Sequence, residues 1–387
     1  MRALSRLFKR SLQAPRRGPS LILRLPTELI LLLLCYMDLC DMGALLQTCQ
    51  ELKAIVEHAM YTTVEIPNTR WGPRTYEFVR TLHARPDLAR RISSFGGYLY
   101  PIFDGVVSGI STRIPGGYFT LPPNLRSLYL HDHDWWWNPA FFPAYSSVSH
   151  LALTSLTIRG SGYRGVHGIS FEPDIAPILR LQPLLEHLDL RLGQWNMETL
   201  GPYDIPDLTT LSAGVDEARF IVPGRPITSL KLSIRRMEED EAWRNMSAST
   251  RRMSSLTLDV LRCGMLLCVT LEMAAMYMVH TENLTIHSLK AHDITPAIDM
   301  FGSFSNLRTL RIKINKDSED TPAVDSIQEA LMEECKRACP SLQILSVEYY
   351  EGLLGSSCPA PKPEEGPHWR RGTYRYSHSQ THTDTTL

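Results

Sequence analysis

The segment HDHDWWW, His131 to Trp137, places four residues of metal-ligating type directly before three tryptophans. Imidazole nitrogens and carboxylate oxygens bind zinc and other divalent metals. Four adjacent residues, however, cannot all converge on one ion. We therefore expect no metal site in this segment.

The aromatic part of the same segment has a second possible use. It follows a strand pattern, where the loops of a repeat array emerge at its rim, and exposed aromatic anchors favour protein recognition. Two interpretations stay open, because the rings could equally pack inward and stabilise an irregular insertion. The recognition hypothesis takes as target-binding residues His131, His133, Trp135, Trp136 and Trp137.

A glycine motif elsewhere has the spacing of a dinucleotide-binding turn. Gly160, Gly162 and Gly165 fit G-x-G-x-x-G, but such a turn must lead directly into a helix that meets the pyrophosphate. Pro173 and Pro177 follow too soon for a long helix to begin there. We expect no cofactor, and because no local catalytic constellation stands out, the sequence predicts a protein that is not an enzyme.

The composition narrows the classes of binding partner and the cell compartment that we expect for this protein. The formal net charge of −1 over 387 residues favours neither nucleic acid nor an anionic membrane. Eight scattered cysteines without C-x-x-C spacing are typical of reduced thiols inside the cell. We expect a cytoplasmic or nuclear protein. The first twenty residues carry six Lys or Arg and no acid, which leaves a mitochondrial transit peptide as the alternative to a disordered extension.

A short motif of apolar residues recurs along most of the chain. In the pattern Φ-x-x-Φ-x-Φ, where Φ is apolar, the copies begin at positions 92, 125, 148, 185, 208, 227, 253, 281, 307 and 342. The spacing resembles that of degenerate leucine-rich repeats, which pair a strand with a helix or an irregular crossover. The resemblance implies an α/β solenoid with parallel strands on the concave face and helices or loops on the convex face.

The stretch LPTELILLLLCYMDL, residues 25–39, precedes this array. Pro26 and Glu28 favour a helix start, and the pattern predicts a helix over 26–37. Asp38 is expected to cap a second helix, and Thr48 with Glu51 predicts a capping box for a third. The first helix is apolar nearly all round, so either a partner or the array must cover part of it.

The order of features in this stretch resembles an F-box over about residues 22–61. The features are Leu25-Pro26, Glu28-Leu29, an aliphatic helix, Asp38 and the later leucines. In that family the helical module docks on a Skp-type adaptor and joins a cullin-based ubiquitin ligase. Carried over to this chain, the adaptor-facing or supporting residues would be Leu25, Pro26, Leu29, Ile30, Leu33, Leu45, Leu46 and Cys49.

The sequence thus predicts four segments: a basic extension over 1–20, a three-helix module over 21–61, a solenoid over 62–351 and a disordered tail over 352–387. The resemblance implies a non-enzymatic substrate receptor that holds an unknown target protein near a ubiquitin-conjugating enzyme. The alternative is a protein-interaction scaffold with no ubiquitin-ligase role, in which the first helix is covered by the chain's own repeats.

Overall fold

The computed structural model describes residues 21–66, 78–97 without 79 and 83, 122–131, 151–159, 175–191, 197–237, 240–260, 264–289, 295–315 and 333–350 without 336. The strands are β1 Thr63–Ile66, β2 Ser94–Gly97, β3 Ser127–His131, β4 Ser155–Arg159, β5 His187–Arg191, β6 Thr210–Gly214, β7 Ser229–Ile234, β8 Ser255–Val260, β9 Asn283–Leu289, β10 Thr309–Asn315 and β11 Ile344–Tyr350. The helices are α1 Thr27–Leu34, α2 Leu39–Leu45, α3 Gln50–Thr62, α4 Pro86–Ala89, α5 Ala176–Arg180, α6 Val215–Ile221, α7 Asp240–Ser247, α8 Gly264–Tyr277 and α9 Ile298–Phe301.

The eleven strands form one parallel sheet in which each strand lies beside its sequence neighbours, from β1 to β11. Parallel neighbours need a crossover between them, and helices supply several of these crossovers. This arrangement is consistent with an α/β solenoid, because each repeat unit packs only against the units before and after it.

Apolar residues at alternate strand positions make the core. In β7 the side chains of Leu230, Leu232 and Ile234 are buried, whereas Ser229 and Lys231 between them are partly exposed. The same alternation holds in β8. The buried side is packed by the crossover helices, and α6 contacts both β6 and β7. A two-residue period therefore separates a covered face of the sheet from an open face that carries the polar positions.

A main-chain ladder joins the start of each unit to the unit before it. Arg126 and Ser127 both donate their backbone N–H groups to the Ser93 carbonyl, at 2.8 and 3.0 Å. Arg308 and Thr309 donate in the same way to Glu282, at 2.8 and 2.9 Å. This ladder satisfies the backbone groups where each turn enters its strand.

The strand positions predicted from the motif are confirmed with one exception, and one strand was not predicted. In nine of the ten copies the strand begins at the third residue of the motif. The copy predicted at 148 is wrong, because the strand lies five residues later and uses Leu153, Leu156 and Ile158, which are buried. Register decides this, since Leu156 must lie opposite Leu128 of β3. Strand β1 was not predicted, although Tyr61, Val64 and Ile66 fit the same motif.

Two of the crossovers between strands contain helices of at least eight residues. Helix α7 buries Ala242, Trp243 and Met246. Helix α8, Gly264–Tyr277, is mostly apolar. None of the described helices is long and apolar enough to cross a lipid bilayer.

The helical module and the array meet through an ion-pair cluster at α3. Glu57 is nearly buried, and its carboxylate lies 3.8 Å from both the Arg85 and the Arg91 guanidinium groups. The Tyr61 ring stacks on Phe78 at a centroid distance of 6.3 Å. Since α3 also leads directly into β1, the module is attached to the first repeat rather than joined by a free linker.

A buried arginine ties two central turns together. Arg225 has 0% exposure and donates from Nε to the Asp204 carbonyl at 2.8 Å and from Nη2 to Gly201 at 2.6 Å. Its Nη1 faces the carbonyls of Phe220, Ile221 and Pro223 at the end of α6. Burial lowers the Arg225 pKa to about 10, so the side chain stays charged at neutral pH. It satisfies carbonyls that the end of a helix leaves without intrahelical partners.

Candidate functional site

Helix α1 begins directly after Pro26 and is shorter than predicted. Pro26 is the N-cap, and its carbonyl accepts from the N–H groups of Leu29 at 3.0 Å and Ile30 at 3.2 Å. Glu28 lies in the first turn, where a carboxylate favours the positive end of the helix. The helix ends at Leu34, and tighter turn bonds continue the chain to Met37. The predicted span of 26–37 therefore covers the helix and this turn.

Of the two helix caps predicted for α2 and α3, one is confirmed and one is wrong. Asp38 caps α2 as predicted, since its Oδ1 accepts from the Asp41 N–H at 2.7 Å. The capping box predicted for α3 is wrong, because Cys49 is the N-cap and makes no side-chain capping bond. Thr48 instead donates its hydroxyl to the Leu45 carbonyl at 2.7 Å and so closes the preceding helix. Because α3 is capped by Cys49, one residue later than predicted, Thr48 belongs to the end of α2 and not to the start of α3.

The three helices enclose a small core of their own. Helix α1 contributes one side of it and packs mainly on α3. The buried residues of this core are Ile30, Leu34, Leu45, Leu52 and Val56. Because α1 directs only one side inward, its other leucines lie outside the core.

The outward side of α1 and its flanking turns is a continuous run of large apolar residues. We call it the α1 apolar face. Its members follow the helical spacing i, i+4, i+7, i+8 and i+11. They are Leu25, Leu29, Leu32, Leu33 and Tyr36, exposed by 37%, 46%, 54%, 43% and 75% respectively. Contiguous exposed apolar surface of this kind marks an interaction site more often than it marks an ordinary surface.

The eight residues predicted to face or support the adaptor differ in how far they are exposed. Leu25, Pro26, Leu29 and Leu33 are exposed, and Leu46 with Cys49 is partly buried. Ile30 and Leu45 are core residues, exposed by 2% and 5%. Of the two predicted roles, these two residues fit only that of supporting the surface from the core, because a partner could reach them only by unpacking the module.

Two exposed residues of the α1 apolar face were absent from the predicted set. Leu32 and Tyr36 lie three residues beyond Leu29 and Leu33, which places them on the same side of the helix. The helical period alone could have identified both. Their exposure extends the face past the end of α1.

The other candidate residues are mostly beyond the described part of the chain. His131 is the last residue of β3, and nothing is described of its side chain. His133 and Trp135 to Trp137 lie outside the described residues, as does the glycine motif over 160–165. The target-binding role of the aromatic segment therefore stays a prediction.

The open face of the sheet carries a compact group of charges around His287. His287 lies in register with Asp259 of β8, and Lys313 of β10 pairs with Glu348 of β11 at 3.7 Å. Burial and, after it, the nearby cations Lys231 and Lys313 together lower the pKa of His287 to about 4. The carboxylates oppose this effect only in part. The imidazole is thus neutral at physiological pH although it sits among charged groups.

We expect this histidine to make folding sensitive to acid. The folded pKa is about 4, whereas an unfolded histidine protonates near 6.5. As the pH falls, the unfolded chain binds the proton first, so the contribution is complete above pH 6.5 and is lost between pH 6.5 and 4. Over that window the wild type should lose roughly 1–2 kcal/mol more stability than His287→Gln, because solvent reaches part of the ring and weakens the effect. Urea unfolding of both proteins at several pH values measures this, and parallel pH profiles would contradict it.

Comparison with known proteins identifies the helical module. Residues 22–60 match the family model of the F-box domain, which covers α1, α2, all but the last two residues of α3 and the whole α1 apolar face. A search of curated proteins finds no matching relative. The match corresponds to the stretch in which the sequence resembles an F-box, residues 22–61. The N-terminal helical module of this protein is therefore an F-box domain.

Proposed function

We propose that this protein is the substrate-recognition subunit of a Skp–cullin–F-box ubiquitin ligase. The F-box domain would bind a Skp-type adaptor, and the array would hold a target protein. The observation that carries the proposal is the α1 apolar face, five exposed large side chains within the domain that matches the family model.

The apolar face supports adaptor binding because its exposure is costly unless a partner covers it. Burying a leucine side chain is worth roughly 1.5–3 kcal/mol. Leu29 and Leu33 are nearly half exposed, yet neighbouring Ile30 and Leu34 are 2% exposed. The module thus has a filled core, and its remaining apolar surface is available for association.

The array would supply the target-binding surface, and we propose that its units are degenerate leucine-rich repeats. The regular columns of buried leucine and isoleucine across β3 to β10 support this assignment. So does the polar open face, since each unit offers different side chains at the same register. Lys231, Thr257, Thr285 and Arg311 are examples on β7, β8, β9 and β10.

The proposed mechanism is proximity rather than chemistry by this chain. A receptor that holds a target beside a charged conjugating enzyme raises the effective concentration of target lysines at the thioester. Attachment of the F-box domain to β1, through Glu57 with its two arginines and through α3, would keep the two binding surfaces in a defined relation. A rigid connection preserves that concentration better than a flexible linker.

Co-expression with a Skp-type adaptor tests the proposal directly. We expect affinity purification of the full chain to recover the adaptor in a one-to-one complex, and addition of a cullin to extend that complex. If folded protein recovers no adaptor, the ligase role is wrong. The array would then be a protein-interaction scaffold without a ubiquitin-ligase function.

A further inference from the structure

The twenty residues before the F-box domain are opposite in charge to the domain's first two helices. Residues 1–20 carry six Lys or Arg and no acid. Residues 21–46, which contain α1 and α2, carry three acids and one base. The two segments are adjacent in the chain, so the opposite charges attract each other at short range.

The three acids lie beside the α1 apolar face. Glu28 is one helical turn from Leu32 on α1. Asp38 follows Tyr36 by two residues, and it keeps its charge although it caps α2. These carboxylates and that of Asp41 are exposed, and none of them makes an ion pair with a residue that the structure describes. A basic segment lying across the face would therefore meet an opposite charge near both of its ends.

The basic segment also carries apolar residues at a regular spacing. Its apolar set follows i, i+3, i+4 and i+8, which is the spacing of one helical face, and the bases lie between its members. The set is Leu4, Leu7, Phe8 and Leu12. Residues 1–20 are outside the described part of the chain, so this spacing is a property of their sequence. The segment thus offers apolar side chains for the exposed leucines of α1 and cations for the acids beside them.

We infer that residues 1–20 fold back on the α1 apolar face of the same molecule and shield it until a partner displaces them. The apolar set would cover the exposed leucines, and the bases would lie beside the three acids. The inference rests on the proposed function, because the partner that displaces the segment would be the Skp-type adaptor. It adds a regulatory contact, since the shielded domain would bind the adaptor less tightly than its exposed face allows.

The connecting chain is long enough for this contact. Residues 13–20 separate the apolar set from the described module, and eight extended residues span up to roughly 28 Å. The face from Leu25 to Tyr36 is only roughly 17 Å long at the rise of a helix. Pro15 and Pro19 in the connector are typical of a turn, which the chain needs in order to reverse its direction.

The short connection favours the molecule's own segment over a second copy of the chain. A segment on a short connector has an effective concentration in the millimolar range at the face, far above a micromolar concentration of other molecules. If the isolated segment bound the face with a dissociation constant of about 0.1 mM, it would cover roughly nine molecules in ten. The same arithmetic predicts an adaptor affinity about tenfold lower than that of an unshielded face.

Hydrogen exchange on the full chain without any partner tests the contact itself. We expect the amides of residues 4–12 to exchange about tenfold more slowly in the wild type than in Leu29→Glu/Leu33→Glu, because that variant removes the apolar surface that would protect them. The Leu181→Glu/Leu184→Glu variant changes a similarly exposed pair on the array and should keep the wild-type rates. Equal rates in the wild type and the α1 variant would overturn the inference. So would protection that grows with protein concentration, because the segment would then cover a second copy.

Adaptor titration with full-length variants tests the regulation. The Leu7→Ser/Phe8→Ser variant leaves the α1 apolar face unaltered and should bind a Skp-type adaptor about tenfold more tightly than the wild type. The Arg6→Glu/Arg10→Glu variant should also gain affinity, because repulsion by the acids of α1 and α2 replaces attraction. Equal affinity in the wild type and both variants would overturn the regulatory role. Failure of every variant to bind would contradict the ligase role instead, and hydrogen exchange, which needs no adaptor, decides the contact in either case.

Discussion

The double substitution Leu29→Glu/Leu33→Glu should reduce the affinity for a Skp-type adaptor by roughly a hundred-fold or more. The two leucines lie one helical turn apart at the centre of the α1 apolar face and are 46% and 43% exposed. Each substitution removes apolar contact area and places a carboxylate where the partner excludes water. Isothermal titration with purified adaptor measures the change.

The same variant should leave the F-box domain folded. Its core is Ile30, Leu34 and the leucines and valine they contact on α2 and α3, none of which is altered. Glutamate is a good helix former, so we expect the free energy of unfolding to change by about 1 kcal/mol at most. Chemical unfolding followed by circular dichroism tests this expectation.

A matched control is available on the array. Leu181 and Leu184 are exposed by 41% and 50% in the turn before β5. The Leu181→Glu/Leu184→Glu variant makes the same chemical change on a similar exposed pair and should bind the adaptor as the wild type does. Unchanged affinity in the α1 variant, or equal loss in this control, would show that α1 is not the binding surface.

Arg225→Met should destabilise the centre of the array by about 3 kcal/mol or more. Methionine fills much of the same volume but donates no hydrogen bond. Five carbonyls around Arg225 would lose its guanidinium as a donor, and the Gly201 carbonyl would keep only the Asp204 N–H at 3.2 Å. Gly224, with φ of 76°, holds the neighbouring turn in a conformation that few other residues adopt, so the turn has little freedom to compensate.

Local measurements are the appropriate readout, because repeat proteins can open in parts. Hydrogen exchange should accelerate most over residues 197–230, and the urea midpoint should fall. Arg235→Met, at an exposed site after β7, is the control and should change stability by less than about 0.5 kcal/mol. Equal exchange rates in wild type and Arg225→Met would show that the carbonyls find other donors.

Much of the architecture could be predicted because it depends on local periodicity. A strand in this array is a motif of three apolar residues, and its side chains alternate whatever the neighbours are. Copies at 125, 185, 227 and 253 were therefore placed correctly. The copy near 148 failed because two overlapping motifs compete there, and only pairing of Leu156 with Leu128 selects between them.

Features that depend on contacts between residues distant in sequence could not be predicted from local periodicity. The sequence contains no signal that Arg225 is buried, since arginine is usually exposed and its partners are carbonyls up to 24 residues away. The grouping of Arg251 and Arg252 with His280 around one pocket of the array has the same origin. These residues meet because adjacent units stack, and stacking brings the ends of α7 and α8 together.

Helix α1 shows which features the sequence determines and which only the tertiary structure decides. By itself the sequence determined a short helix with apolar residues nearly all round, and its ordered motif indicated an F-box. Only the tertiary structure decided which leucines are core and which are surface. Three small helices can enclose one side of α1 but not both, so Ile30 and Leu34 are buried while Leu29 and Leu33 remain available to a partner.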